Sequence, residues 1–155
     1  MAEYTFECEI FYSQIALFQY GLDNPFNDWN DTHVNQGFTW REGSVSFGTL
    51  GNEGNCEVTI KLSEKIEVDD NAIRAIVVPF KVKNDGIEVG SIIETVAIDV
   101  PEGRYELLFF ANIEDGIEHY TFVFVKNDNP IARVLKADDE LSLPENLLMQ
   151  ANPAI

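Results

Sequence analysis

Residues 105–125 read YELLFFANIEDGIEHYTFVFV, and they decide the fold class. Tyr105 to Ile113 is an almost unbroken apolar run through Leu107, Leu108, Phe109 and Phe110, as a central strand covered on both faces requires. Glu114-Asp115-Gly116 supplies turn residues. Tyr120, Phe122 and Phe124 then alternate with Thr121, Val123 and Val125, a period of two that fits a strand and not a helix.

The same period recurs outward in both directions. Tyr4, Phe6, Cys8 and Ile10 share a face, with Glu3, Thr5, Glu7 and Glu9 opposite. Gln14 to Tyr20 is a second strand, and Ser44 to Leu50 a third, with Val45 and Phe47 on one side. Cys56, Val58, Ile60 and Leu62 alternate with Glu57, Thr59 and Lys61, and the polar run Ser63 to Asn71 reads as a solvated loop. Ile76, Val78, Phe80 and Val82 share a face. Pro79 among them has no N–H for a ladder, so this strand is predicted at a sheet edge or with a bulge. Asn84-Asp85-Gly86 turns it back into Ile87 to Ser91. A last strand lies near Ile131 to Lys136.

Strands spaced by turn signals, without intervening amphipathic helices, predict an all-β antiparallel sandwich of eight to ten strands, with a closed barrel as the alternative. The one helical candidate is short, capped by Asp31 or Thr32 and stopped by Gly37. Residues 1–136 are read as the sandwich domain. Residues 137–155 are read as an acidic C-terminal tail, with Asp138, Asp139, Glu140 and Glu145 and no base, packed loosely if at all.

A chain of 155 residues with 45% hydrophobic side chains builds its own core. Its 27 acids against 10 bases give a net charge of −17. That excludes nucleic acid and anionic membrane as natural partners, since both need Lys and Arg, and it predicts a basic one. Residues 1–40 hold six acids and no Lys or Arg. Cys8 and Cys56 are too few for a disulfide framework or a zinc site, so two buried thiols in a cytoplasmic protein are expected.

The catalytic inventory is thin. His33 and His119 stand far apart with no metal-ligand spacing, so His119 reads as structural and His33 as exposed. The glycines Gly48, Gly51 and Gly54 match no phosphate-binding fingerprint and read as a hairpin loop. No cofactor or metal site is expected. Asp23, Phe26, Asp28, Trp29 and Asp31 concentrate carboxylates and aromatics in one irregular segment, suited to a protein partner or to a hard cation. Trp29 either pins that segment to the sandwich or anchors a contact. Glu114-Asp115 and Asp138-Asp139-Glu140 are solvated turn residues by default, or part of the same partner-binding surface.

Two blocks carry a family resemblance. One is Asp28-Trp29, the short helix, Gly37-Phe38 and Gly43-Ser44-Val45-Ser46-Phe47. The other runs through Val78-Pro79-Phe80-Lys81-Val82, Asn84-Asp85-Gly86-Ile87, Ser91-Ile92 and Asp99-Val100-Pro101-Glu102-Gly103-Arg104-Tyr105. With the Tyr12 to Gln19 strand they place residues 10–112 in register with the competence protein J (ComJ) family, which the chain resembles. The resemblance implies a non-enzymatic protein that binds and blocks a metal-dependent DNase, in competence or as immunity against a nuclease toxin. The partner would be a basic nuclease. A calcium- or carbohydrate-binding sandwich module is the alternative, and a two-carboxylate hydrolase ranks last.

Overall fold

The computed structural model describes residues 3–84 and 86–154. In chain order it contains β1 (Glu3–Ile10), β2 (Gln14–Gln19), α1 (Asp31–Gln36), β3 (Phe38–Arg41), β4 (Ser44–Gly48), β5 (Gly54–Ser63), β6 (Arg74–Val82), β7 (Gly86–Gly90), β8 (Thr95–Asp99), β9 (Gly103–Glu114), β10 (Ile117–Lys126) and β11 (Arg133–Lys136). A six-stranded sheet, ordered β1-β5-β10-β9-β6-β11, faces a five-stranded sheet, ordered β3-β4-β2-β7-β8. The sandwich is therefore the predicted one, with eleven strands among the described residues rather than eight to ten. One of the additional strands, β3, directly follows α1, where no strand was expected.

The long central run forms the hairpin β9–β10, closed by Asp115 and Gly116 at φ of 53° and 77°, the left-handed pair a two-residue turn requires. On the other side of β10 the neighbour is β5, and this pair is parallel. It departs from the all-antiparallel expectation because β5 and β10 are brought together by distant parts of the chain, with no hairpin to set their direction.

Between the sheets the core is aromatic. Phe109 of β9 stacks on Phe47 of β4 at 4.3 Å between ring centroids and 6° between planes, and on Tyr120 of β10 at 5.8 Å and 11°. Phe122 meets the edge of the Phe47 ring at 5.9 Å. Phe109 thus joins the two sheets. The outer face of β9 is also covered, because Leu108 and Phe110 cluster with Val77, Val123 and Val125 beneath Ile66 and Val68. Those last two sit in the run predicted as a solvated loop, and they explain how β9 can be apolar on both sides.

Pro79 lies past the three β6 residues that β11 pairs, Ala75 to Val77, so at Pro79 the strand has β9 alone as neighbour. This is the edge position its missing N–H demands. Asn84 takes the expected positive φ of 57°, and Asp85 of the same turn lies outside the described residues. Cys8 and Cys56 are buried free thiols opposite one another across β1 and β5.

Replacing Phe109 by Ala removes the ring that both sheets share and should cost about 3–5 kcal/mol, the usual range for a fully buried aromatic. Urea unfolding measures it. A loss below about 1 kcal/mol would show that the inter-sheet stack is not what holds the layers together.

Candidate partner interface

Strand direction sorts the loops into two ends. Ile10 pairs Gly54, Gln14 pairs Gly48, Ala16 pairs Gly90, Arg74 pairs Ala111 and Glu118 pairs Cys56. One end therefore collects the β1–β2 turn, the β4–β5 loop, the β7–β8 loop, the β9–β10 turn and the start of β6. The carbonyl of Gly37, accepting from Gly48 N–H at 2.8 Å, adds the end of α1.

Acids stand at both ends, but most bases are confined to one of them. Glu53, Glu94, Glu114, Asp115, Asp139 and Glu140 are exposed around the first, with Asp69 and Asp70 beside them. Of the chain's ten bases, Arg41, Lys61, Lys65, Lys81, Lys83, Arg104 and Lys126 stand at strand termini or loops of the opposite end. The net negative charge is thus concentrated on one end, where field lines from the carboxylates reinforce one another.

Lys136, exposed and paired with Ala75, stands at that acidic end, and a second cation is buried inside it. Arg74 is 3% exposed, and its Nε and Nη2 donate to the two carboxylate oxygens of Asp138 at 2.7 and 2.9 Å. Its Nη1 donates to the carbonyl of Gly48 at 2.7 Å, and Glu140 lies 3.7 Å from the guanidinium. A residue of one sheet thereby grips a strand of the other and the first turn of the tail. The Arg74 guanidinium holds the Asp138 carboxyl below its usual range. Arg133 does the same to Glu106, whose Oε2 it meets at 2.6 Å.

The tail is bound along its length, contrary to the loose packing expected. Ser142 N–H donates to the Asn35 carbonyl at 2.9 Å. Gln36, fully buried, accepts from Leu148 N–H at 2.8 Å and donates to the Leu148 carbonyl at 3.0 Å, pairing with the tail as another strand would. Asp28 N–H donates to Asn152 O and Ala154 N–H to Phe26 O, each at 2.8 Å. Leu147 and Met149 pack against the main core.

The helix itself differs from its sequence reading in two respects. Asn30 is the N-cap in place of Asp31 or Thr32. His33, expected to be exposed, is buried because it closes the capping box. Its Nδ1 accepts from Asn30 N–H at 3.1 Å, which leaves Nε2 as the donor to Gln150 O at 2.9 Å. Gly37 must be glycine, since its φ is 90° and a Cβ there would come within 3.1 Å of Leu141 and 3.2 Å of Ile76.

Between α1, the tail and the hairpin tips lies an open cavity of about 640 Å³, lined by Tyr12, Trp29, Val34, Leu50, Arg74, Glu140 and Leu141 among others. Trp29 is half-buried there, its indole N–H donating to Gln14 Oε1 at 3.2 Å. Trp29 thus both pins its segment and lines a surface. Asp28 and Asp31 are exposed on the same side, and Asp138 and Glu140 adjoin the cavity through Arg74, with exposed Asp139 between them in the chain. Glu114 and Asp115 lie at the same end, on the β9–β10 turn. Asp23 and Phe26 stand apart. Asp23 follows Leu22, which approaches Gly43 at the opposite end, and Phe26 packs edge-on against Phe18 at 5.6 Å. Among the described residues no three His, Cys, Asp or Glu side chains come together to hold a metal ion. The sequence reading missed Tyr12, which is 76% exposed on the cavity rim. Its one signal was a large aromatic in the three-residue link between β1 and β2.

The family model described as competence protein J (ComJ) matches residues 7–125. Over 102 residues the chain is 29% identical to the DNA-entry nuclease inhibitor of Bacillus subtilis (strain 168), covering 65% of this chain and 76% of that protein. Among solved structures it resembles ComJ from Bacillus subtilis, described as an inhibitor of the DNA degrading activity of NucA. The TM-score is 0.73 at 26% identity, over 80% of this chain and 96% of that one. It also shares its fold with crocagin biosynthetic gene J, with a TM-score of 0.52 at 16% identity over 79% and 98% of the two chains.

Because the depressed Asp138 and Glu106 carboxyls stay ionised in the folded state, their contribution is complete above the unfolded values near 3.8 and 4.5 and is lost as pH falls through the lower folded values. Tail release, followed by limited proteolysis after Lys136, should therefore begin only below about pH 4. Asp138→Ala should expose the tail to protease at neutral pH and cost about 3 kcal/mol, since it leaves Arg74 buried without its carboxylate. A variant as resistant as the parent would show that the clamp does not hold the tail.

Proposed function

From a chain that belongs to the competence protein J (ComJ) family, we propose a non-enzymatic inhibitor that binds a DNA-degrading nuclease and blocks its cleft with the acidic end of the sandwich. The observation that carries this reading is the uneven distribution of bases, which leaves one end with an excess of carboxylates. Carboxylates from five separate loops surround one end, while most bases are held at the other.

A nuclease that acts on a polyanion presents Lys and Arg along its cleft. Exposed carboxylates meeting those cations take the place of DNA phosphates, and because they stand on a rigid sandwich they need little ordering on binding. Glu114, Asp115, Asp139 and Glu140 form the charged rim in this reading, with Asp28 and Asp31 flanking it. Trp29 supplies apolar surface from the cavity wall. Asp23 and Phe26, the remaining residues of the loop, contribute through the fold of the segment rather than by contact. The Bacillus subtilis relative is described as acting on NucA, which supports a nuclease of that class as the partner. Its basic character, a dependence on metal and a cytoplasmic site of action belong to the proposal, as does the choice between competence and toxin immunity.

The test is plasmid protection against NucA across a salt series. Neutralising Glu114, Asp115, Asp139 and Glu140 together (to Gln or Asn) should slow association about tenfold at low salt and flatten its dependence on salt, whereas Lys81→Gln with Lys83→Gln should leave it unchanged. Equal inhibition by the parent and the neutralised variant would refute the electrostatic reading.

A further inference from the structure

The β1–β2 link is strained in a way its own contacts do not repay. Tyr12 and Ser13 both have φ of 58°, the backbone of a two-residue turn that Asn-Gly or Gly-Gly satisfies without cost. A bulky aromatic in the left-handed region is a rare outlier. Ser13 is tied down: its N–H donates to Asn52 O at 2.9 Å, its carbonyl accepts from Thr49 N–H at 3.0 Å, and its hydroxyl bonds Asn52 Oδ1. Tyr12 is not packed in return, being 76% exposed, yet it stands on the cavity rim in line with Trp29, Val34 and Leu50. The strap from Asn52 to Ser13 holds the turn in a conformation that points the neighbouring ring outward from the acidic end.

We infer that Tyr12 is the anchoring contact of the interface, displayed by a strained turn for insertion into a cation-lined groove of the partner protein. The inference rests on the nuclease-inhibitor reading and assigns its central residue. Tyrosine buries large area for few rotatable bonds and is enriched among the few residues that dominate binding energy. Its ring face also attracts Lys or Arg, and the carboxylates of Glu53 and Glu140 on the neighbouring loops draw the same cations. The turn sequence thus trades hairpin stability for a contact that only the complex completes.

The trade is testable in one protein. Tyr12→Asn suits the left-handed turn, so the variant should melt at or above the parent's temperature, yet bind NucA about 30-fold more weakly in plasmid protection and in surface-immobilised binding. Tyr12→Phe keeps the ring and should remain within about threefold of the parent. A folded Tyr12→Asn that inhibits as well as the parent overturns the inference while leaving the nuclease reading intact. Failure of the parent itself to bind NucA at low salt removes both.

Discussion

The buried guanidinium of Arg74 is the constraint on which the acidic end depends. It projects from the first residue of β6, hydrogen-bonds β4 of the facing sheet and chelates Asp138 at the start of the tail. Two sheets and a terminal segment meet at this one side chain. Its charge is spent inward on a carboxylate that is itself mostly covered. The exposed acids of the surrounding loops are therefore left without a local counter-ion from Arg74, apart from the more distant Glu140. Burying the cation stabilises the end without neutralising its outer surface.

The same economy appears in α1. Six residues are too few for a helix to be stable alone, and this one is held by Asn30 and His33 at one terminus and Gly37 at the other. Its buried polar side chains are turned to the tail, where Gln36 offers Leu148 both a donor and an acceptor. The tail in turn covers the helix. The match to the family model ends at residue 125, so the tail lies beyond it, whereas Arg74, Gln36 and His33, which hold the tail, lie within it.

Much of the sandwich could be read from the period of its apolar residues, because a strand with one covered face must alternate. Tyr4 to Ile10, Cys56 to Leu62 and Tyr120 to Phe124 all do so, and each is a strand. Pro79 announced its edge position through a missing donor. What escaped was set by partners far away in sequence. Nothing local to β5 or β10 specifies that they run parallel. Acidic residues at 138–140 made the tail look solvated, although Leu147 and Met149 a few residues on carry its packing. His33 reads as a surface residue until Gln150 lies beside it. At the candidate interface, composition drew attention to the Asp23 to Asp31 loop, whereas topology gathers Glu114, Asp115, Asp139 and Glu140 with Tyr12 from separate segments. No pattern within a single window could have joined them.

The central claim is that one end of this sandwich, and not a sheet face or the opposite end, meets the nuclease. Amide hydrogen exchange of the protein free and bound to NucA tests it directly. Slowed exchange at residues 12–14, 49–53 and 114–117, with no change at 82–84 and 101–104, is the predicted pattern. Protection confined to the opposite end, or spread along the edge strand β1, would contradict it.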